Sequence, residues 1–326
     1  MKTDKEKQVR HFKPRVDRPR GKDIDGIILL DKPFGITSND ALQKVKRLFS
    51  AKKAGHGGTL DPIATGLLVI CLGEATKFSR FLLEANKHYL VTAQLGVKTA
   101  SGDSEGEVIQ TAEVSAFSDA DIERALTTFR GQIEQTPSMF SAIKYQGQPL
   151  YKLARQGVEV PRASRPVTIE TFTLLSRTET TLTMEIKASK GTYVRTLVDD
   201  LGDLLGCGAH VTSLRRLGIG PYVEEQMVTL PYLESVAKGE AEGVSLNDCL
   251  LPLDSSVSTW PKLTLSEAAA YYLIQGQPVI VPYSPTEGWV RLVGRDGRFL
   301  GVGEILDDGR VAPRRLVASS LMKKAV

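Results

Sequence analysis

The chain has 326 residues, 41% hydrophobic and 25% charged, and its 42 Lys and Arg against 38 Asp and Glu give a net charge of +4. This is the balance of a soluble globular protein, long enough for one large domain and a smaller one. Nine basic and four acidic side chains fall in residues 1–23, so the remaining body is close to neutral and a uniformly basic nucleic-acid binder is excluded.

Residues 1–23 carry only isolated apolar side chains, Val9, Phe12 and Val16, and read as a disordered basic arm. The arm has no apolar core of the kind a secretory signal needs. Order is expected from a short buried strand at Gly26–Leu30. Apolar residues at 41, 42, 45, 48 and 49 then predict a helix capped by Ser38 or Asn39. Residues 51–66 are Gly-rich and read as loop, followed by a buried strand at Leu67–Leu72 and a helix at Glu74–Leu83. The longest apolar run, about 66–72, is too short to cross a bilayer. Alternation at Tyr89, Val91, Ala93 and Leu95 predicts a strand, and Ala120–Phe129 a helix.

The stretch 132–165 mixes three prolines, scattered aromatics and basic side chains, and reads as an excursion from the core. A strand at Leu182–Ala188, a helix with the stripe Val194, Leu197, Val198, Leu201, Leu204 and Leu205, and a strand at His210–Leu217 follow. After a Ser/Pro break near 255–261, short runs at Val279–Val281, Trp289–Val293 and Phe299–Val302 predict a small β-rich domain. Three well-separated cysteines, Cys71, Cys207 and Cys249, offer no CxxC pair. They favour a reducing compartment over a disulfide framework or structural zinc. A cytoplasmic protein is expected.

Chemistry concentrates at Gly55-His56-Gly57-Gly58-Thr59-Leu60-Asp61-Pro62-Ile63-Ala64-Thr65-Gly66. Four glycines in these twelve residues allow close approach of backbone to a ligand. Taken alone, Asp61 suits a nucleophile, a base, a metal ligand or a turn cap. The segment lacks the Gly-Lys-Ser/Thr ending of a P-loop. Arg195 lies off the apolar stripe of its helix, need not be core, and has Asp199 one turn away as a surface partner. Tyr89 by pattern is a core tyrosine, and Leu214 plain core packing.

The loop resembles the signature of the TruB family of tRNA pseudouridine synthases. Lys32-Pro33-Phe34-Gly35-Ile36-Thr37-Ser38, Gly73-Glu74-Ala75-Thr76-Lys77, Lys87-His88-Tyr89, Pro137-Ser138-Met139-Phe140-Ser141-Ala142 and Lys190-Gly191-Thr192-Tyr193-Val194-Arg195-Thr196 match further motifs in the family's order. The resemblance runs from about Gly26 to Arg315 and leaves out the arm. It implies an α+β fold: a catalytic domain over 24–254, on a mixed, mainly antiparallel sheet with flanking helices. It also implies a thumb insertion at about 132–165 and a small PUA-like RNA-binding domain over 262–326.

The implied reaction isomerises uridine to pseudouridine at position 55, in the T loop of tRNA. The products are isomers, so no cofactor and no metal are expected. By resemblance the catalytic residues are Asp61, the essential carboxylate, Arg195, its partner, and Tyr89, whose ring stacks on the flipped uracil and whose hydroxyl would help the proton step. His56, Tyr193, Leu214 and Lys77 would contact substrate. A second reading is a tRNA-folding chaperone with catalysis secondary. A third is a subunit of a guide-RNA complex, which the long insertion and compact C-terminal domain disfavour. A stand-alone monomer acting on the T stem-loop, with no guide RNA and no membrane association, is the expected form.

Overall fold

A ten-stranded sheet runs through the larger part of the chain, and a four-stranded sheet forms its C-terminal part. The computed structural model describes residues 21–318. The expected arm lies outside these residues apart from its last three, as do residues 319–326.

In chain order the elements begin with β1 (Gly26–Lys32), α1 (Ser38–Leu48), β2 (Ala54–His56), β3 (Ala64–Leu72), α2 (Ser79–Glu84) and β4 (Lys87–Leu95). A hairpin of β5 (Val97–Thr99) and β6 (Val108–Thr111) leads to α3 (Asp119–Thr127) and β7 (Gly131–Gln135). The small hairpin of β8 (Lys144–Tyr145) and β9 (Gln148–Pro149) precedes α4 (Leu150–Ala154), β10 (Arg165–Arg177) and β11 (Thr181–Ala188). Next come α5 (Val194–Leu204), β12 (Ala209–Ile219), β13 (Tyr222–Val223), β14 (Val228–Thr229) and α6 (Leu230–Lys238). The C-terminal part holds β15 (Lys262–Leu265), α7 (Glu267–Ile274), β16 (Gly288–Gly294), β17 (Phe299–Ile305) and β18 (Val311–Leu316).

The large sheet is ordered β14-β1-β3-β12-β4-β11-β10-β7, with β2 beside β3 and β13 beside β12. Only β1–β14 and β3–β12 run parallel, so the class is α+β with a mixed, mainly antiparallel sheet. The sheet centre is apolar on both faces. Ile28, Leu30, Leu68 and Ile70 pack in the larger core with α1 and α5. Ile27, Leu29, Leu67 and Val69 face a second layer containing Leu82, Ile219 and Tyr222. Two-faced burial is why β3 reads as a continuous apolar run rather than an alternating one.

Several local expectations change. The cap of α1 is Thr37, whose hydroxyl accepts from the Asp40 amide at 3.1 Å. Ser38 is turned inward, where its hydroxyl bonds both main-chain groups of Leu60, at 2.7 and 2.8 Å. Part of the 51–66 loop is strand, because Ala54–His56 pairs with the end of β3. The helix expected at Glu74–Leu83 is a 3₁₀ turn followed by α2. It breaks at Phe78, which is fully buried with its ring 5.3 Å from Phe299. Gly131–Gln135 pairs with β10 inside the sheet, so the stretch that leaves it runs from 136 to 164. The run Val279–Val281 is reduced to a single bridge between Val279 and Val311. Unforeseen elements include β10, α6 and α7, the last capped by the Ser266 hydroxyl.

The C-terminal sheet, ordered β15-β16-β17-β18, has its own core around Leu263, Leu265, Val290, Leu292 and Leu300. It docks on α2 through aromatic rings: Phe81 lies 4.8 Å from Trp260 and 5.2 Å from Trp289. Among the described residues no helix is long and apolar enough to cross a membrane.

Candidate active site

The loop between β2 and β3 presents Asp61, and three groups from other elements fix it. Ser38 holds Leu60 as described. The Lys32 ammonium, fully buried, donates to the carbonyls of Pro33, Ile36 and Pro62 at 3.0, 2.8 and 3.3 Å. The Gly35 amide donates to Pro62 O at 2.9 Å. The turn after β1 and the Asp61 loop are therefore one hydrogen-bonded unit. Burial brings the Lys32 ammonium down to about 8, an effect the nearby Asp61 charge partly offsets.

Arg195 stands in the first turn of α5, with Nη2 3.0 Å from Asp61 Oδ2. Its Nη1 lies 3.2 Å from Asp103 Oδ2 and donates to Ser101 O at 2.8 Å, and Nη2 donates to Phe140 O at 2.9 Å. Contrary to the expectation of exposure, the side chain is buried, at 6%. Four acceptors converge on its fork of five N–H donors, which is what makes burial of a guanidinium tolerable. Asp199 is not its partner: that carboxylate lies 3.3 Å from Lys98.

Asp61 shows 39% of its side chain to the cavity, yet protein surrounds it on the remaining sides. Burial raises its carboxyl above the ordinary range, Arg195 pulls it back, Asp103 raises it, and Lys32 lowers it. The arrangement sets a directed cation against the burial that disfavours the charged carboxylate.

A cavity of about 230 Å³ opens beside Asp61 and is lined by Tyr89 from β4, Tyr193 and Arg195 at the head of α5, and Leu214 from β12. These come together because β12 lies between β3 and β4, with Leu214 opposite both Ala64 and Val91. Ser141 and Ala142, from the stretch that leaves the sheet, close another wall. The Arg165 guanidinium lies over the Tyr193 ring at 5.1 Å and donates to Gly191 O at 2.7 Å. A larger cavity, about 590 Å³, opens on the far side of Arg195 and touches nothing of the Asp61 loop. Of the two, the smaller is the one that the Asp61 loop lines.

Asp61, Arg195, Tyr89, Tyr193 and Leu214 thus meet at one cavity. His56 ends β2 and stands outside that lining. Its Nδ1 accepts from the Gly58 amide at 3.4 Å, and burial, reinforced by the Arg216 charge, lowers its pKa and favours the neutral ring. Lys77 is elsewhere: its ammonium bonds Glu74 at 2.7 Å and Leu316 O at 3.0 Å, where the C-terminal sheet meets the large domain. Sequence reasoning missed Asp103, Lys32 as a loop clamp, and Arg216. The signal for Asp103 was Ala100-Ser101-Gly102-Asp103-Ser104, a turn cluster between strands. Among the described residues no three His, Cys, Asp or Glu side chains converge on a metal position.

The chain matches the TruB family pseudouridylate synthase N-terminal domain over residues 46–194. It matches the tRNA pseudouridylate synthase B C-terminal domain over 195–258 and the pseudouridine synthase II TruB C-terminal region over 261–317. It is 56% identical over 294 residues to a protein of Coxiella burnetii (strain RSA 331 / Henzerling II) named tRNA pseudouridine synthase B, covering 90% of this chain and 95% of that one. A protein of the same name from Yersinia pestis (strain Pestoides F) is 52% identical over 310 residues, covering 93% and 95%. The crystal structure of a Cbf5-Nop10-Gar1 complex contains a chain superposing with a TM-score of 0.70 at 24% identity, over 89% of this chain and 84% of that one, a likeness of fold.

Proposed function

This chain belongs to the TruB family of pseudouridine synthases, and from that premise we propose that it isomerises the uridine at position 55, in the T loop of tRNA, to pseudouridine. The relatives' shared name, tRNA pseudouridine synthase B, supports tRNA as the substrate. The observation that carries the reading is the Asp61 carboxylate, paired with buried Arg195 at 3.0 Å and facing a cavity walled by Tyr89, Tyr193 and Leu214.

The cavity, about 230 Å³, receives a single extruded nucleoside in this reading. The target uridine therefore leaves its stack, at a cost of a few kcal/mol. Tyr89 and Tyr193 supply aromatic surface for the base. Arg195 keeps Asp61 ionised, and the carboxylate starts the reaction by attack on the nucleoside or by removal of a ribose proton. The N1–C1′ bond breaks, uracil turns, and C5 bonds to C1′. C5 gives up its proton and N1 gains one, so the product is an isomer and the reaction consumes no co-substrate.

The enzyme works as a monomer on the T stem-loop without a guide RNA. The stretch 136–164 acts as the thumb, and its Phe140 carbonyl already bonds Arg195. The test maps pseudouridine in an unmodified tRNA transcript incubated with the purified chain. Modification at position 55 without added RNA or cofactor is expected. No modification, modification elsewhere only, or a requirement for a co-purifying guide RNA would contradict the reading.

A further inference from the structure

Arg216, on β12, is the largest fully buried side chain of the described residues, at 1% exposure. Its Nε donates to Leu67 O at 2.7 Å, Nη2 to Gly58 O at 3.1 Å and Nη1 to Thr59 O at 3.4 Å. Tyr89 stands directly opposite it on β4, and its side chain interacts with the guanidinium. Carbonyls and a phenol, rather than a carboxylate, thus surround a buried cation. Burial without a counter-ion costs stability that an apolar side chain of the same size would not.

The partners explain where that cost goes. Gly58 and Thr59 immediately precede Leu60 and Asp61, and Leu67 follows on β3. One planar group therefore ties both ends of the Asp61 loop to β12. It also reaches Tyr89, which lines the same cavity as Asp61. Two glycines with positive φ lie where the loop passes close to Arg216. Gly58 has φ of +144°, and a Cβ there would meet Arg216 Nη1 at 3.5 Å. Gly66 has φ of +92°, and a Cβ there would fall 2.3 Å from the Arg216 carbonyl oxygen.

We infer that Arg216 is a positioning residue for the reaction. It sets the distance between the Asp61 carboxylate and the Tyr89 ring, and it donates to the Tyr89 hydroxyl oxygen so that the phenolic proton is turned away from β12. Lysine cannot replace it, because a single ammonium cannot span three carbonyls in a plane and the phenol as well. The inference rests on the proposed function, and wild-type activity on tRNA is measured first so that failure of that reading is seen separately.

Given active wild type, the test is single-turnover pseudouridine formation at saturating enzyme for Arg216→Gln and Arg216→Lys, with tRNA binding and thermal unfolding measured on the same samples. Loss of one to two charge-assisted hydrogen bonds predicts about a 100-fold slower step for Gln, with little rescue by Lys and tRNA affinity within about threefold. Combining Arg216→Gln with Tyr89→Phe should slow the step by less than the product of the single effects, because the two side chains act as one unit. If Arg216→Gln does not fold, Gly58→Ala decides, since it keeps Arg216 but displaces the carbonyl that Nη2 holds; the same slowing with unchanged tRNA affinity is expected. A lowered melting temperature with a saturated rate within about threefold of wild type, or fully multiplicative effects with Tyr89→Phe, would overturn the inference. So would an unchanged rate in Gly58→Ala.

Discussion

Replacing Asp103 with Asn removes one of the two carboxylates that hold Arg195 while keeping volume and shape. The pair lies at 3.2 Å with the two side chains 6% and 4% exposed. At an effective dielectric near 20 this separation corresponds to about 5 kcal/mol of gross attraction. Desolvation of both groups offsets much of that. Asn retains a hydrogen-bond acceptor but not the charge, so the net loss should approach that of one charge-assisted hydrogen bond, about 1.5–3 kcal/mol. Arg195 would still contact Asp61, Ser101 O and Phe140 O, but its aim would no longer be fixed from the side opposite Asp61. If that aim is what readies Asp61, the chemical step slows by about 10- to 150-fold. The assay is tritium release from 5-labelled uridine in a tRNA transcript, under single turnover with enzyme in excess, with filter binding and urea unfolding alongside. Asp103 is buried behind Arg195, so tRNA affinity should hold within about threefold. A rate within about threefold of wild type in a folded variant would refute the reasoning.

The pH dependence follows from the same cluster. Burial raises the Asp61 carboxyl, Arg195 lowers it and Asp103 raises it. The active form is the carboxylate, so the acid limb of the single-turnover rate should fall above the ordinary aspartate value of about 3.9. Asp103→Asn removes a repelling charge and should move that limb to lower pH, whereas Arg195→Met should move it higher; a limb at the ordinary value that neither change shifts would contradict this. Phe78 is fully buried between α2 and the C-terminal sheet, with Phe299 at 5.3 Å. Phe78→Ala should cost about 3–5 kcal/mol in urea unfolding and ease proteolysis between the two sheets, and a cost below about 1 kcal/mol would argue against tight docking. Residues 1–20 hold eight basic and three acidic side chains. Their deletion should flatten the log–log salt dependence of tRNA binding by up to about 4, with the saturated rate unchanged. An identical slope would leave the arm no phosphate contacts.

The sheet centre was legible because β1 and β3 are apolar on both faces, and α1 and α5 because their stripes keep helical spacing. The loop of Asp61 was legible as motif chemistry. What failed depends on partners distant in the chain. Arg195 looks like a surface residue on a helical wheel, and the acceptors at Asp61, Ser101, Asp103 and Phe140 make its burial possible. Ser38 suits a helix cap, but the Leu60 main chain uses its hydroxyl, and Thr37 takes the cap. Arg215 and Arg216 are neighbours in the sequence. Strand alternation sends the first to Asp31, at 3.0 Å, and buries the second under the active-site loop. Lys77 sits in a family motif, yet in the fold its charge joins the two sheets.

Asp61 is the carboxylate proposed to start the isomerisation. Asp61→Asn preserves the volume at the cavity wall and leaves Arg195 its contacts with Asp103, Ser101 O and Phe140 O. Tritium release and tRNA binding measured together on wild type and this variant should show release abolished and binding retained. Release from Asp61→Asn at a rate comparable to wild type would contradict the account.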